Sequence, residues 1–164
     1  MTPRIVQKSV LIITLMYCLL PNFLHAATAE QKNGLSKGQT IYVPAYSHIY
    51  IGNKERPFLL TVTLSIRNID PKNHIRVTTV DYYETQGKML KKNIDKPVLL
   101  RPMESLRYVL PEKDKSGGSG ANYIVEWDAE TQVNPPIVES IMIGTQSQQG
   151  ISFTSRGQEI LKTE

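Results

Sequence analysis

Between positions 58 and 68 the chain alternates, with Phe58, Leu60, Val62, Leu64 and Ile66 on one side and Leu59, Thr61, Thr63, Ser65 and Arg67 on the other. Side chains of an extended backbone switch face at each residue, so the pattern predicts a strand with one face on a core and one in water. Asn68, Asp70, Pro71 and Asn73 follow. They predict a turn, because Asn and Asp bond their own backbone and Pro presets φ. In residues 75–84, Ile75 and Val77 keep one phase while Val80 and Tyr82 take the other. The apolar face therefore changes sides near Thr78 and Thr79, and a β-bulge there restores the register. Residues 85–88, with Gly87 free to take a positive φ, predict a hairpin turn into a strand at 89–93. Pro97 and Pro102 bracket a short apolar segment at 98–100, which suits an edge strand because proline donates nothing to a ladder.

Leu106, Tyr108 and Leu110 share a face, and beyond a polar, glycine-rich loop at 112–120 so do Tyr123, Val125 and Trp127. Alternation assigns Trp127 to the apolar side, as a core anchor at the sheet interface. Two further strands are expected at 137–144 and 151–155. No helical periodicity persists over three turns, and the punctuation by Pro, Gly, Asn and Asp is that of an all-β protein. The expected fold is an antiparallel β-sandwich of immunoglobulin-like character with eight or nine strands, an open β-barrel being the alternative. One domain spans 38–157, preceded by a polar lead at 27–37 and followed by a C-terminal tail at 158–164 that looks frayed or loosely docked.

The balance of 40% hydrophobic and 21% charged residues in 164 is that of an ordinary globular protein. The first 26 residues change the picture. Arg4 and Lys8 precede an apolar run at 10–20, Pro21 and Asn22 break it, and Ala26, Ala27 and Ala29 follow. This is the order of a secretory signal peptide, with cleavage placed after Ala26 and a periplasmic or secreted product expected. The run of eleven residues falls short of the ~20 that a helix needs to cross a bilayer, so no permanent membrane span is expected after cleavage. Cys18, the sole cysteine, goes with the signal, and the bulky Tyr17 before it argues against lipidation. Loss of Arg4 and Lys8 leaves 17 basic residues against 15 acidic, a net charge of only +2. With no basic stripe among aromatics, nucleic-acid binding lacks its electrostatic footprint.

Tyr42-Val43-Pro44-Ala45-Tyr46-Ser47-His48-Ile49-Tyr50, Leu64-Ser65-Ile66-Arg67-Asn68 and Val80-Asp81-Tyr82-Tyr83 form distinctive blocks. Gly117-Gly118-Ser119-Gly120-Ala121-Asn122, Val125-Glu126-Trp127 and Gly150-Ile151-Ser152-Phe153-Thr154-Ser155-Arg156-Gly157 add to them. In these blocks the chain resembles an uncharacterised bacterial family, the domain of unknown function 3124. The resemblance implies an exported bacterial protein and brings no functional residues with it.

Candidate chemistry is sparse. Gly117-Gly118-Ser119-Gly120-Ala121 nearly reads as a nucleophile elbow, but that motif joins a strand to a helix, whereas this loop leads into a strand. A hydrolase using Ser119 or His48 is therefore the alternative to a noncatalytic binding module. The same loop also reads as a turn, or as a nest of amides around an anion. No nucleotide motif is present, His48 and His74 stand apart, and the acids are scattered, so no metal and no cofactor are expected. Tyr42, Tyr46, His48 and Tyr50 share a face if the chain is extended, forming a stacking surface or covering a core edge. Arg156 carries a planar fork suited to a carboxylate, the internal bridge being the plainer expectation. The candidate ligand surface is Tyr46 and His48 with Gly117, Gly118, Ser119 and Asn122 of the loop and Arg156. An unknown protein or small molecule of the cell envelope is its expected partner.

Overall fold

The computed structural model describes residues 34–146 and 149–161. The expected signal peptide, Cys18, the start of the polar lead and residues 162–164 lie outside them. Twelve strands follow in order: β1 (Ser36–Pro44), β2 (His48–Ile51), β3 (Arg56–Leu59), β4 (Thr61–Arg67), β5 (Ile75–Tyr83), β6 (Met89–Lys92), β7 (Val98–Leu100), β8 (Ser105–Leu110), β9 (Asn122–Val133), β10 (Ile137–Gln146), β11 (Gln149–Arg156) and β12 (Gln158–Glu159). One sheet runs β12-β1-β9-β5-β6, with β7 sharing the outer edge of β5 with β6. The second runs β11-β10-β4-β8, and β2 and β3 form a separate hairpin. All pairings are antiparallel, and neither sheet closes on itself. The architecture is the expected sandwich rather than a barrel. Its strands exceed eight or nine because bends at 45–47 and at Leu60 each divide an extended run, and because part of the tail pairs as β12.

Between the sheets, the alternating sets of β1, β5 and β9 meet those of β4, β8 and β10 in one cluster. Leu60, Val62, Leu64 and Ile66 are buried in the predicted phase. The ladder between β5 and β9 skips from Val77 to Thr79, and the bulge returns Val80 and Tyr82 to the core. Gly87, at φ 85, turns the β5–β6 hairpin. Trp127 is buried in the core as expected.

At the end of β4 the predicted turn becomes a hub. Asn68 Nδ2 donates to Asn73 O, Leu100 O and Arg101 O, at 2.9, 3.2 and 2.9 Å, while Asn68 Oδ1 accepts from Asp70 N at 3.0 Å. The Asp70 carboxylate in turn accepts from the backbone of Asn134, Lys72 and Asn73. These donors, the Asn134 N–H above all, hold its carboxyl well below the usual carboxylate range.

Tyr82 and Tyr123 stack obliquely in the core with ring centroids 5.0 Å apart. Both hydroxyls are buried without a hydrogen-bond partner, an arrangement that costs free energy because each gave up water. Tyr123→Phe is therefore expected to stabilise the fold by about 1 kcal/mol in urea denaturation; a loss of stability would show that the hydroxyl is satisfied. Burial first, and the field of Asp114 second, push Tyr82 from 10.0 up to about 12. A folded pKa above the unfolded value means stability that is whole below pH 10.0 and lost as pH rises towards about 12. Combined absorbance and circular-dichroism titration should place alkaline unfolding of Tyr82→Phe at higher pH than that of the parent. An unchanged midpoint would contradict this account.

Candidate functional site

β1 departs from its sheet after Pro44, whose carbonyl accepts a hydrogen bond from the Ser140 hydroxyl. The departure is fixed by contacts with the loop 117–122. Ala45 N donates to Ala121 O at 2.8 Å, and Ser47 N donates to Gly118 O at 3.1 Å. The Ser47 hydroxyl, fully buried, donates to Gly118 O at 3.1 Å and accepts from Gly118 N at 2.9 Å. On the other side Thr85 donates to Gly117 O from both its N–H and its hydroxyl, each at 2.9 Å, and its Oγ1 accepts from Gly120 N at 3.0 Å. Two hydroxyls thus clamp the loop from opposite flanks.

This clamp explains the loop's composition. A Cβ at Gly117 would lie 1.8 Å from the Tyr82 hydroxyl, so no larger residue fits without displacing a buried ring. Gly118 sits at φ 81, which L side chains rarely adopt. The loop is a pinned turn. The amides of Gly118 and Gly120, which an anion nest would offer to a ligand, are spent on Ser47 and Thr85.

Of the sequence-predicted residues, Tyr46 and His48 flank the buried Ser47, so backbone bonding brings them to the loop bearing Gly117, Gly118 and Ser119. Asn122 opens β9 between Pro44 of β1 and Tyr83 of β5. The aromatic rings pair off rather than forming one surface. Tyr46 lies against Phe153 at 6.1 Å, and His48 meets Tyr50 edge-on at 5.3 Å. The bend at 45–47 separates them from Tyr42 on β1. Tyr50 and Ile51 of the β2–β3 hairpin are exposed.

Arg156 stands elsewhere. It is exposed on β11, on the face opposite Phe153, as the cross-strand neighbour of Glu139. The expected internal bridge is not formed among the described residues; Glu139 Oε1 pairs instead with Arg67 Nη2 at 3.2 Å. Ser47 and Thr85, which hold the loop, escaped sequence reasoning; their only trace was a hydroxyl residue inside each of two turn-bearing segments.

Two shallow grooves lie away from this end. One, of ≈ 340 Å³, is lined by Lys72, His74, Leu99 and the Arg76–Asp128 pair, whose two hydrogen bonds are both 2.9 Å. The other, of ≈ 460 Å³, lies beside Glu126, Glu159 and Leu161. Among the described residues no group of three His, Cys, Asp or Glu side chains is placed to hold a metal ion, and no helix is long and apolar enough to cross a membrane.

Residues 38–160 match the family described as "Protein of unknown function (DUF3124)". A solved structure, that of Thermotoga maritima 1070, is similar at 13% identity with a TM-score of 0.45, covering 73% of this chain and 92% of that chain. No curated protein matches.

Proposed function

The chain belongs to the DUF3124 family, and from this premise we propose that it is an exported, noncatalytic module that binds a partner in the cell envelope through the end bearing the β2–β3 hairpin. The observation that carries this reading is the clamped loop. The amides of its Gly118 and Gly120 are engaged by Ser47 and Thr85, which holds the loop as a fixed platform, while the hairpin beside it keeps Tyr50 53% exposed and pairs it with His48. An aromatic side chain held on a hairpin by a neighbouring ring supplies contact area at low entropic cost. The charged, apolar and small-residue order of the first 26 residues supports export.

The test is made in cells, with a photo-crosslinking amino acid at position 50 and a control at Lys91. A discrete adduct from position 50 in the envelope fraction, weakened several-fold by His48→Ala and absent at Lys91, is expected. The recovered chain should begin at Ala27. Absence of any adduct, or equal adducts at both positions, would remove the hairpin from the reading, and a cytoplasmic chain with an intact leader would remove export.

A further inference from the structure

We infer that the outer face of the β11-β10-β4-β8 sheet is a second recognition surface, independent of the hairpin end, and that it binds an acidic polypeptide segment. The placement follows from register. Arg107 of β8 pairs with Ser65 of β4, Ser65 with Glu139 of β10, and Glu139 with Arg156 of β11, so the four lie in one row across the sheet. Strands are spaced about 4.8 Å apart, which puts the outermost members of this row roughly 14 Å from one another. Arg67, two residues along from Ser65 and on the same face, reaches into the row, its Nε donating to Ser65 Oγ at 3.0 Å and its Nη2 meeting Glu139 at 3.2 Å. Three arginines therefore share this face with one glutamate, and Arg67 pairs with it.

Arg107 and Arg156 are exposed, and among the described residues neither has an ion-pair partner. A protein with a net charge of only +2 after signal removal thus gathers a local excess of positive charge on a flat face. The next rows of the same face carry Val109, Thr63, Ile141 and Thr154, then Thr61, Ile143 and Ser152. Val109 and Ile143 are 54% and 47% exposed. Planar forks beside aliphatic side chains fit a segment that presents carboxylates next to apolar residues, since each fork can donate two hydrogen bonds to one carboxylate. A second copy of this face is the poorer fit, because it would bring two surpluses of like charge together.

The probes are a fluorescent peptide of alternating glutamate and valine, its lysine–valine counterpart, and vesicles containing anionic phosphatidylglycerol. Binding to the purified protein is read by anisotropy for the peptides and by sedimentation for the vesicles. The acidic peptide is expected to bind, to weaken as salt rises, and to lose about tenfold in affinity in the Arg107→Ala/Arg156→Ala variant, about 1.4 kcal/mol. Lys91→Ala/Lys92→Ala, which removes the same charge from β6 of the other sheet, should leave binding within twofold. Failure of the acidic peptide to bind, equal losses in the two double variants, or equal binding of the lysine peptide would each overturn the inference. So would arginine-dependent capture of vesicles without the peptide. Because Tyr50 is untouched, crosslinking from position 50 reports separately on the hairpin.

Discussion

Asn68→Ala is expected to be among the most damaging single substitutions in this protein, costing about 3 kcal/mol and lowering the melting midpoint by roughly 10 °C. The Asn68 side chain is buried, and its amide joins three carbonyls from two separate loops while its oxygen accepts from Asp70 N. Truncation leaves the Asp70 N–H without its acceptor and three carbonyls without their donor, and the Asp70 N–H and the Leu100 carbonyl are bonded in buried surroundings. It also loosens Asp70, which ties the same turn to Asn134 at the end of β9. Asn68→Asp should be at least as harmful, because it keeps the acceptor but points a carboxylate at three carbonyl oxygens. Urea denaturation of the two variants decides the matter: a loss below 1 kcal/mol for alanine, or an aspartate variant as stable as the parent, would show that the hub is not cooperative.

The second large effect is expected at Gly117. Alanine there would bring its Cβ 1.8 Å from the Tyr82 hydroxyl and 2.6 Å from the Ala121 Cβ, so either a buried ring or the clamped loop has to move. Overpacking of this kind costs about 3 kcal/mol. The closest clash is with an oxygen that makes no hydrogen bond. Tyr82→Phe removes that oxygen and should recover part of the loss, giving a coupling of at least about 0.5 kcal/mol in a double-mutant cycle. The contact with the ring carbon, at 2.6 Å, makes full recovery unexpected. Strict additivity of the two substitutions would mean that the loop, not the ring, yields.

Both predictions concern residues whose importance was only half legible in the sequence. Asn68 was readable as a turn former, since its bonds to Asp70 and Asn73 are local, but its reach to Leu100 and Arg101 spans more than thirty positions and leaves no periodic trace. The same division runs through the fold. The alternation of β4, the phase change at Thr78, the turn at Gly87 and the edge strand between Pro97 and Pro102 are properties of neighbouring residues, and the chain displays them directly. The departure of β1 from its sheet rests on bonds from Ala45 and Ser47 to a loop more than seventy positions away. Likewise Arg156 offered a fork but no sign of where it stood, because its neighbour Glu139 is set by the register of β10 and β11 and pairs with Arg67 of β4. What the sequence withheld was consistently the product of register between distant strands.

The position of β9 bears on how such a chain comes to be folded. It is the strand between β1 and β5, and both find their principal ladder on residues that begin at Asn122. A growing polypeptide that has produced β1 and β5 therefore has two apolar ribbons and no middle to join them. Closure across such separations is slow, since loop entropy is lost before any ladder bond is gained. The first sheet is consequently a late event in the life of the nascent chain. Until β9 has been made, β1 and the β9-facing edge of β5 stand as open edges.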